Sequence, residues 1–155
     1  MVSMLVMSPK RMLPHLDPLE SLGFHCNLTV KAFAARMSDK LKSSGVSRIQ
    51  FWALVQLVDS GPLSLSELTE RLFISKATGV RLVDRMERDG LVNRRIDPLD
   101  SRTKRVAMTD KAFKIWDQIS FTGRQLLDEA YNAVDPVDIE TVKKTLFQVR
   151  RNLGM

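Results

Sequence analysis

The sequence predicts a mostly α-helical chain with one small β-hairpin, an α+β class. Three observations predict it. Helix-start signals recur along both halves of the chain. The apolar period changes from helical to alternating near Leu91 and returns to helical after Thr109. The composition, 44% apolar and 27% charged over 155 residues, is that of one globular domain with a core to bury.

The elements follow in order. Asp17-Pro18-Leu19-Glu20 supplies a capping carboxylate, a first-turn proline and a glutamate three residues on, opening a long helix to about Lys42. Ser47-Arg48-Ile49-Gln50 is a second start signal, for a helix reaching about Asp59 before Gly61-Pro62. Ser64-Leu65-Ser66-Glu67 opens a short helix to about Leu72. After the connector Phe73-Ile74, Ser75 caps a helix reaching Asp89, with Gly90 at its stop. The runs 91–96 and 104–108 read as strands, and the turn formers from Asp97 to Thr103 read as the tip between them. Thr109-Asp110 opens a long helix to about Val134, and Asp135-Pro136 opens the last, to about Leu153.

A helix–turn–helix followed at once by a hairpin is the winged-helix plan, whose second helix is the one able to enter a major groove. Charge agrees. The chain carries 24 basic against 18 acidic residues, a net of +6. Nine of those bases and five of those acids lie between Ser75 and Arg105. Such a balance favours a polyanionic partner.

Other classes fit poorly. One cysteine excludes a disulfide framework and a Cys-based zinc finger, and suits a reducing, cytoplasmic setting. Two histidines, one cysteine and no glycine-rich loop leave no convergent catalytic group, metal site or cofactor cradle, so no enzyme is expected. Met1–His15 does not read as a signal peptide, and no apolar run is long enough to span a membrane.

The stretch Leu63–Thr109 resembles the MarR family of winged-helix transcriptional regulators. Two parts carry the resemblance: the string ISKATGVRLVDRMERDGLVNR, and the wing Asp100-Ser101-Arg102 with Val106 and Met108-Thr109 behind it. The resemblance implies a homodimer on pseudo-palindromic double-stranded DNA, and a repressor released by a small-molecule effector or an oxidant. Residues 1–155 then form one domain. Within it, 1–45 and 110–155 would be dimerisation helices and 46–109 the DNA-binding lobe. Gly79 and Val80 depart from the family, which often has a branched apolar residue and then threonine there. Gly79 costs about 1 kcal/mol of helix stability relative to alanine.

On the second helix of the pair, Gly79, Leu82, Val83 and Met86 share the face expected in the core. Ala77, Arg81, Asp84 and Arg88 share the other, flanked by Thr78, Val80 and Arg85. The fork of Arg81 suits a guanine edge, and Ala77 and Val80 suit thymine methyl groups. A solvated face with i,i+4 charge pairs is the plainer alternative. Arg102 at the wing tip suits a narrow minor groove, with Asp100 orienting it. The expected DNA-binding set is therefore Ser75, Lys76, Ala77, Thr78, Val80, Arg81, Arg85, Asp100, Arg102 and Arg105.

In proteins of the resembling family, ligands bind where the first, second and fifth helices converge. That implies His25, Leu28, Lys31 and Trp52 as effector contacts, although core aromatics at helical spacing fit as well. Cys26 reads as a small packed thiol; oxidant sensing through it is the alternative. Ile139, Val142, Leu146, Val149 and Leu153 form an apolar stripe on the last helix that needs a partner, which a second copy would provide.

Overall fold

The structure, a computed structural model, describes residues 21–98, 100 and 102–154. The expected start signal at Asp17–Glu20 and the reading of Met1–His15 lie outside these residues. The chain divides into two units, Met1–Ala35 and Arg36–Met155. The described part of the first is the leading stretch of helix α1 (Leu22–Leu41). The second contains the end of α1 and all that follows.

A single 3-10 turn over Lys42–Ser44 ends α1, and α2 spans Arg48–Ser60. Its start is the expected capping box: the Gln50 amide donates to Ser47 Oγ at 3.4 Å, and Gln50 Oε1 accepts from the Ser47 amide at 2.9 Å. Next come α3 (Leu65–Arg71) and α4 (Lys76–Arg88). The box on α3 is complete as well, with the Glu67 amide on Ser64 Oγ at 3.2 Å and the Ser64 amide on Glu67 Oε2 at 2.7 Å. Ser75 caps α4 by accepting from the Thr78 amide at 3.2 Å. Gly90 follows α4 at a φ of 72°, a left-handed turn that glycine adopts without strain.

The strand reading needs one correction. The two expected strands form as β2 (Val92–Ile96) and β3 (Lys104–Met108), antiparallel with Val92 opposite Met108. A third strand, β1 (Leu63–Ser64), pairs with the other edge of β3, Leu63 opposite Val106, so the sheet order is β1-β3-β2. Two residues are too few to show an alternating pattern, and their partner lies more than 40 positions away.

Helix α5 (Asp110–Ala130) starts at the Thr109 cap as expected but ends four residues short of Val134. Asp135 precedes Pro136, which disfavours helical backbone at the residue before it. The chain turns beforehand, with Ala133 at a φ of 60°. Helix α6 (Pro136–Asn152) then begins on the Asp135 cap, its carboxylate accepting from the Val137 amide at 2.8 Å.

The core gathers Phe51 and Leu54 of α2, Leu68 of α3, Val83 and Met86 of α4, Val106 of β3 and Ala112 of α5, with Leu41 from the end of α1. Gln50 is buried among them. Its side chain donates to Asp89 Oδ2 at 2.7 Å, tying the start of α2 to the end of α4. Among the described residues no helix is long and apolar enough to cross a membrane.

Candidate nucleic-acid interface

Helix α4 divides into two faces as its sequence requires. Gly79, Leu82, Val83 and Met86 are buried. Lys76, Ala77, Thr78, Val80, Arg81, Asp84, Arg85 and Arg88 are exposed. Gly79, which the sequence shows only as a helix cost, has a packing reason. A Cβ built there would lie 2.1 Å from Cγ2 of the buried Thr69 on α3. Real Cβ atoms do not approach so closely, so the α3–α4 crossing requires a residue without one.

The wing is organised by Asp100. One carboxylate oxygen accepts from the Arg102 amide at 3.0 Å, and the other from Thr103 Oγ1 at 2.8 Å. The Thr103 amide closes the turn on the Asp100 carbonyl at 2.9 Å. Asp100 therefore shapes the tip, and Arg102 stands exposed on it.

A concavity of about 440 Å³ joins the wing to the starts of α3 and α4. Ser64, Ser66, Lys76, Arg94, Arg102 and Lys104 are among its lining residues. It brings Lys76 of α4 and Arg102 of the wing, both expected from sequence, to one surface. Lys104 joins them although the sequence reading did not select it.

The wing cations are not equivalent. Arg95, Arg102 and Lys104 are exposed. Arg105, counted above with the DNA-binding set, is turned inward. Its Nε donates to Asp97 Oδ2 at 2.5 Å, and its Nη1 to the Pro62 carbonyl at 3.1 Å and Glu67 Oε2 at 3.4 Å. The Asp97 hydrogen bond holds the Arg105 guanidinium above its ordinary pKa. Asp97 is 6% exposed, and a carboxylate so buried needs such a cation. Arg94 donates to Asp84 Oδ1 at 2.7 Å and to Glu87 Oε2, while Glu87 Oε1 accepts from its backbone amide at 3.0 Å. Arg95 and Arg105 lie directly opposite each other in the sheet, and like charges in that register repel unless carboxylates sit close by.

The expected effector residues fall in both units. His25, Leu28 and Lys31 are exposed on α1, and Cys26 is a half-buried free thiol between them. Trp52 is exposed on α2, edge-on to Phe51 at 5.5 Å; Phe51 in turn stacks on Trp116 at 5.9 Å.

Comparison with known proteins converges on the same segment. Residues 44–103, which hold α2, α3, α4, β1, β2 and the wing tip, match the sequence model of the MarR family. The chain is 23% identical over 141 residues to YsmB of Bacillus subtilis, described as an uncharacterised HTH-type transcriptional regulator, covering 91% of this chain and 94% of that one. It is 23% identical over 121 residues to IacR of Pseudomonas putida, an HTH-type transcriptional repressor, covering 78% and 72%. Its fold is similar to that of BpsR of Bordetella bronchiseptica, whose DNA binding is regulated by 6-hydroxynicotinic acid. The TM-score is 0.76 at 20% identity, over 84% of this chain and 94% of that one. The helix–turn–helix and the wing thus coincide with the one stretch that matches the MarR family's sequence model, and the chain shares the winged-helix fold of that family's solved structures.

Proposed function

We propose that this protein is a homodimeric repressor that binds a pseudo-palindromic operator and is released by a small-molecule effector. The observation that carries the dimer is α6. None of its residues is buried, and its apolar stripe includes Val142 at 52% exposure, continued at the C-cap by Leu153 at 76%. A stripe of that kind is stable when covered, and a two-fold copy would cover it while presenting two α4 helices to two half-sites. Residues 1–45 and 110–155 then serve dimerisation and 46–109 the reading of DNA.

Ser75, Lys76, Ala77, Thr78, Val80, Arg81 and Arg85 form the major-groove set in this reading, and Arg102, shaped by Asp100, enters the minor groove. The repressor role follows the description of IacR, and effector release follows that of BpsR. Effector sensing is assigned to His25, Leu28 and Lys31 on α1 and to Trp52 on α2, each to be tested by its own substitution. Oxidant sensing at Cys26 is the weaker reading, because the chain has no second cysteine to resolve an oxidised one.

The test is a titration on the protein's own promoter region at several salt concentrations. Arg81→Ala should cost about 1–3 kcal/mol per half-site and relax specificity at one position. Arg102→Ala should weaken many sequences together, most where A·T tracts flank the site, and should lower the salt dependence. An Arg102→Ala protein with unaltered affinity and salt slope would remove the wing from the interface.

A further inference from the structure

We propose that Arg94 and Arg105 are positioning residues that clamp the wing to α4 and α3, and that neither contacts phosphate; this rests on the DNA-reading surface proposed above. Arg105 joins three separate segments through one guanidinium: Asp97 after β2, Pro62 before β1, and Glu67 in the first turn of α3. Arg94 joins β2 to two carboxylates on successive turns of α4, Asp84 and Glu87. A planar fork with five donors makes such several-sided bridges; an ammonium on a flexible stem holds no such fixed geometry.

Charge decides between a clamp and a phosphate contact. Each arginine faces two carboxylates, so each cluster as a whole is anionic. An anionic cluster repels the DNA backbone and releases no counterions. The cations left for phosphate on the wing are Arg95, Arg102 and Lys104, which are exposed. The clamps instead determine where Arg102 stands relative to the base-reading face of α4. A loose wing would have to be ordered at the moment of binding, at an entropic cost to affinity.

The experiment uses the full chain with Arg105→Lys and Arg94→Lys, which keep the charge and lose the fork, and Arg105→Gln as a second variant. Without DNA, hydrogen exchange at the Asp97 amide, which donates across the hairpin to the Thr103 carbonyl at 2.9 Å, should quicken about tenfold or more in the Arg105 variants. On the promoter fragment each lysine variant should lose about tenfold in affinity, the order expected for one charged hydrogen bond. The slope of log affinity against log salt should stay at its wild-type value. The loss should not add to that of Arg102→Ala, because a wing without its arginine gains nothing from being held.

Lysine variants that bind like wild type overturn the clamp. So does a salt slope lowered by about 0.9 per protomer in Arg105→Gln, the mark of a lost phosphate contact. Wing exchange that stays at its wild-type rate overturns it independently of DNA. An inert Arg102→Ala overturns the DNA reading and the clamp together, whereas a disruptive Arg102→Ala beside an inert Arg105→Lys overturns the clamp alone.

Discussion

Leu82, Val83 and Met86 of α4 bury their apolar face inside the chain, whereas Val142 and Val149 of α6 leave theirs in solvent. Both helices start on a side-chain cap, and both are amphipathic. The difference lies in what surrounds them. α4 is enclosed by α2, α3 and the hairpin, with Gln50, Thr69 and Arg94 each meeting it or its C-cap at short range. Among the described residues none covers α6 well enough to bury one of its side chains. A helix in water draws most of its stability from the packing of its apolar face, so one region is complete in itself and the other awaits a surface.

The largest effect should come from the incomplete region. Val142→Asp combined with Leu146→Asp places charge on the stripe. If a second copy covers it, light scattering should show dissociation and operator affinity should fall about a hundredfold or more, since the half-sites then bind one at a time. A variant of wild-type mass and affinity would break the comparison. The complete region should fail through packing instead. Gly79→Ala should destabilise by about 1–3 kcal/mol in urea melts, although alanine is the better helix former by about 1 kcal/mol. Adding Thr69→Ser should restore most of the loss. Serine lacks the clashing methyl and keeps the hydroxyl that bonds the Ser66 carbonyl at 2.9 Å.

A smaller effect, of opposite sign, is expected in the turn between α3 and α4. Phe73 has a φ of 53° and is 83% exposed, so it carries left-handed strain and buries little. Phe73→Gly should raise stability by about 1 kcal/mol in the same melts, with operator affinity unchanged. The smallest effect is a pH dependence. The Ser64 amide, then the Ser64 hydroxyl, and beyond them Arg105 and Arg71 hold the Glu67 carboxyl below its usual range. A depressed carboxyl stabilises the fold above the unfolded pKa, and that stability is lost as pH falls through the folded value. The melting difference between wild type and Glu67→Gln should therefore narrow between about pH 6 and pH 3. A constant difference would remove Glu67 from the acid response.

Local signals were readable in the amino-acid order, and distant ones were not. The caps at Ser47, Ser64, Ser75, Thr109 and Asp135 each involve residues within one helical turn, and each forms where expected. The faces of α4 followed from its period for the same reason. β1 escaped because its meaning lies in Val106, far along the chain. The end of α5 escaped because its amphipathic pattern outlasts the helix itself. At the candidate interface, exposed cations on α4 and at the wing tip were legible from period and turn chemistry. The inward turn of Arg94 and Arg105 was not, since strand alternation does not say which carboxylate waits on each side. Gly79 was legible as a cost, while its cause, the methyl of Thr69, lies on another helix.

The end of α4 has a consequence for the order in which the molecule forms. The Gly90 carbonyl accepts from Thr109 Oγ1 at 2.6 Å, and the Asp89 carbonyl from Lys111 Nζ at 2.7 Å. These donors lie 19 and 22 positions further on, across the hairpin. A chain emerging from the ribosome therefore holds the whole of α4, its last carbonyls already met by the amides of Asp89, Gly90 and Leu91, before it holds the donors for the two carbonyls just beyond the helix. Until Thr109 and Lys111 arrive, those two carbonyls bond to water. The return of the hairpin then brings the cap and first turn of α5 against the two residues that follow α4, so the joint between these helices closes only when both strands are in place.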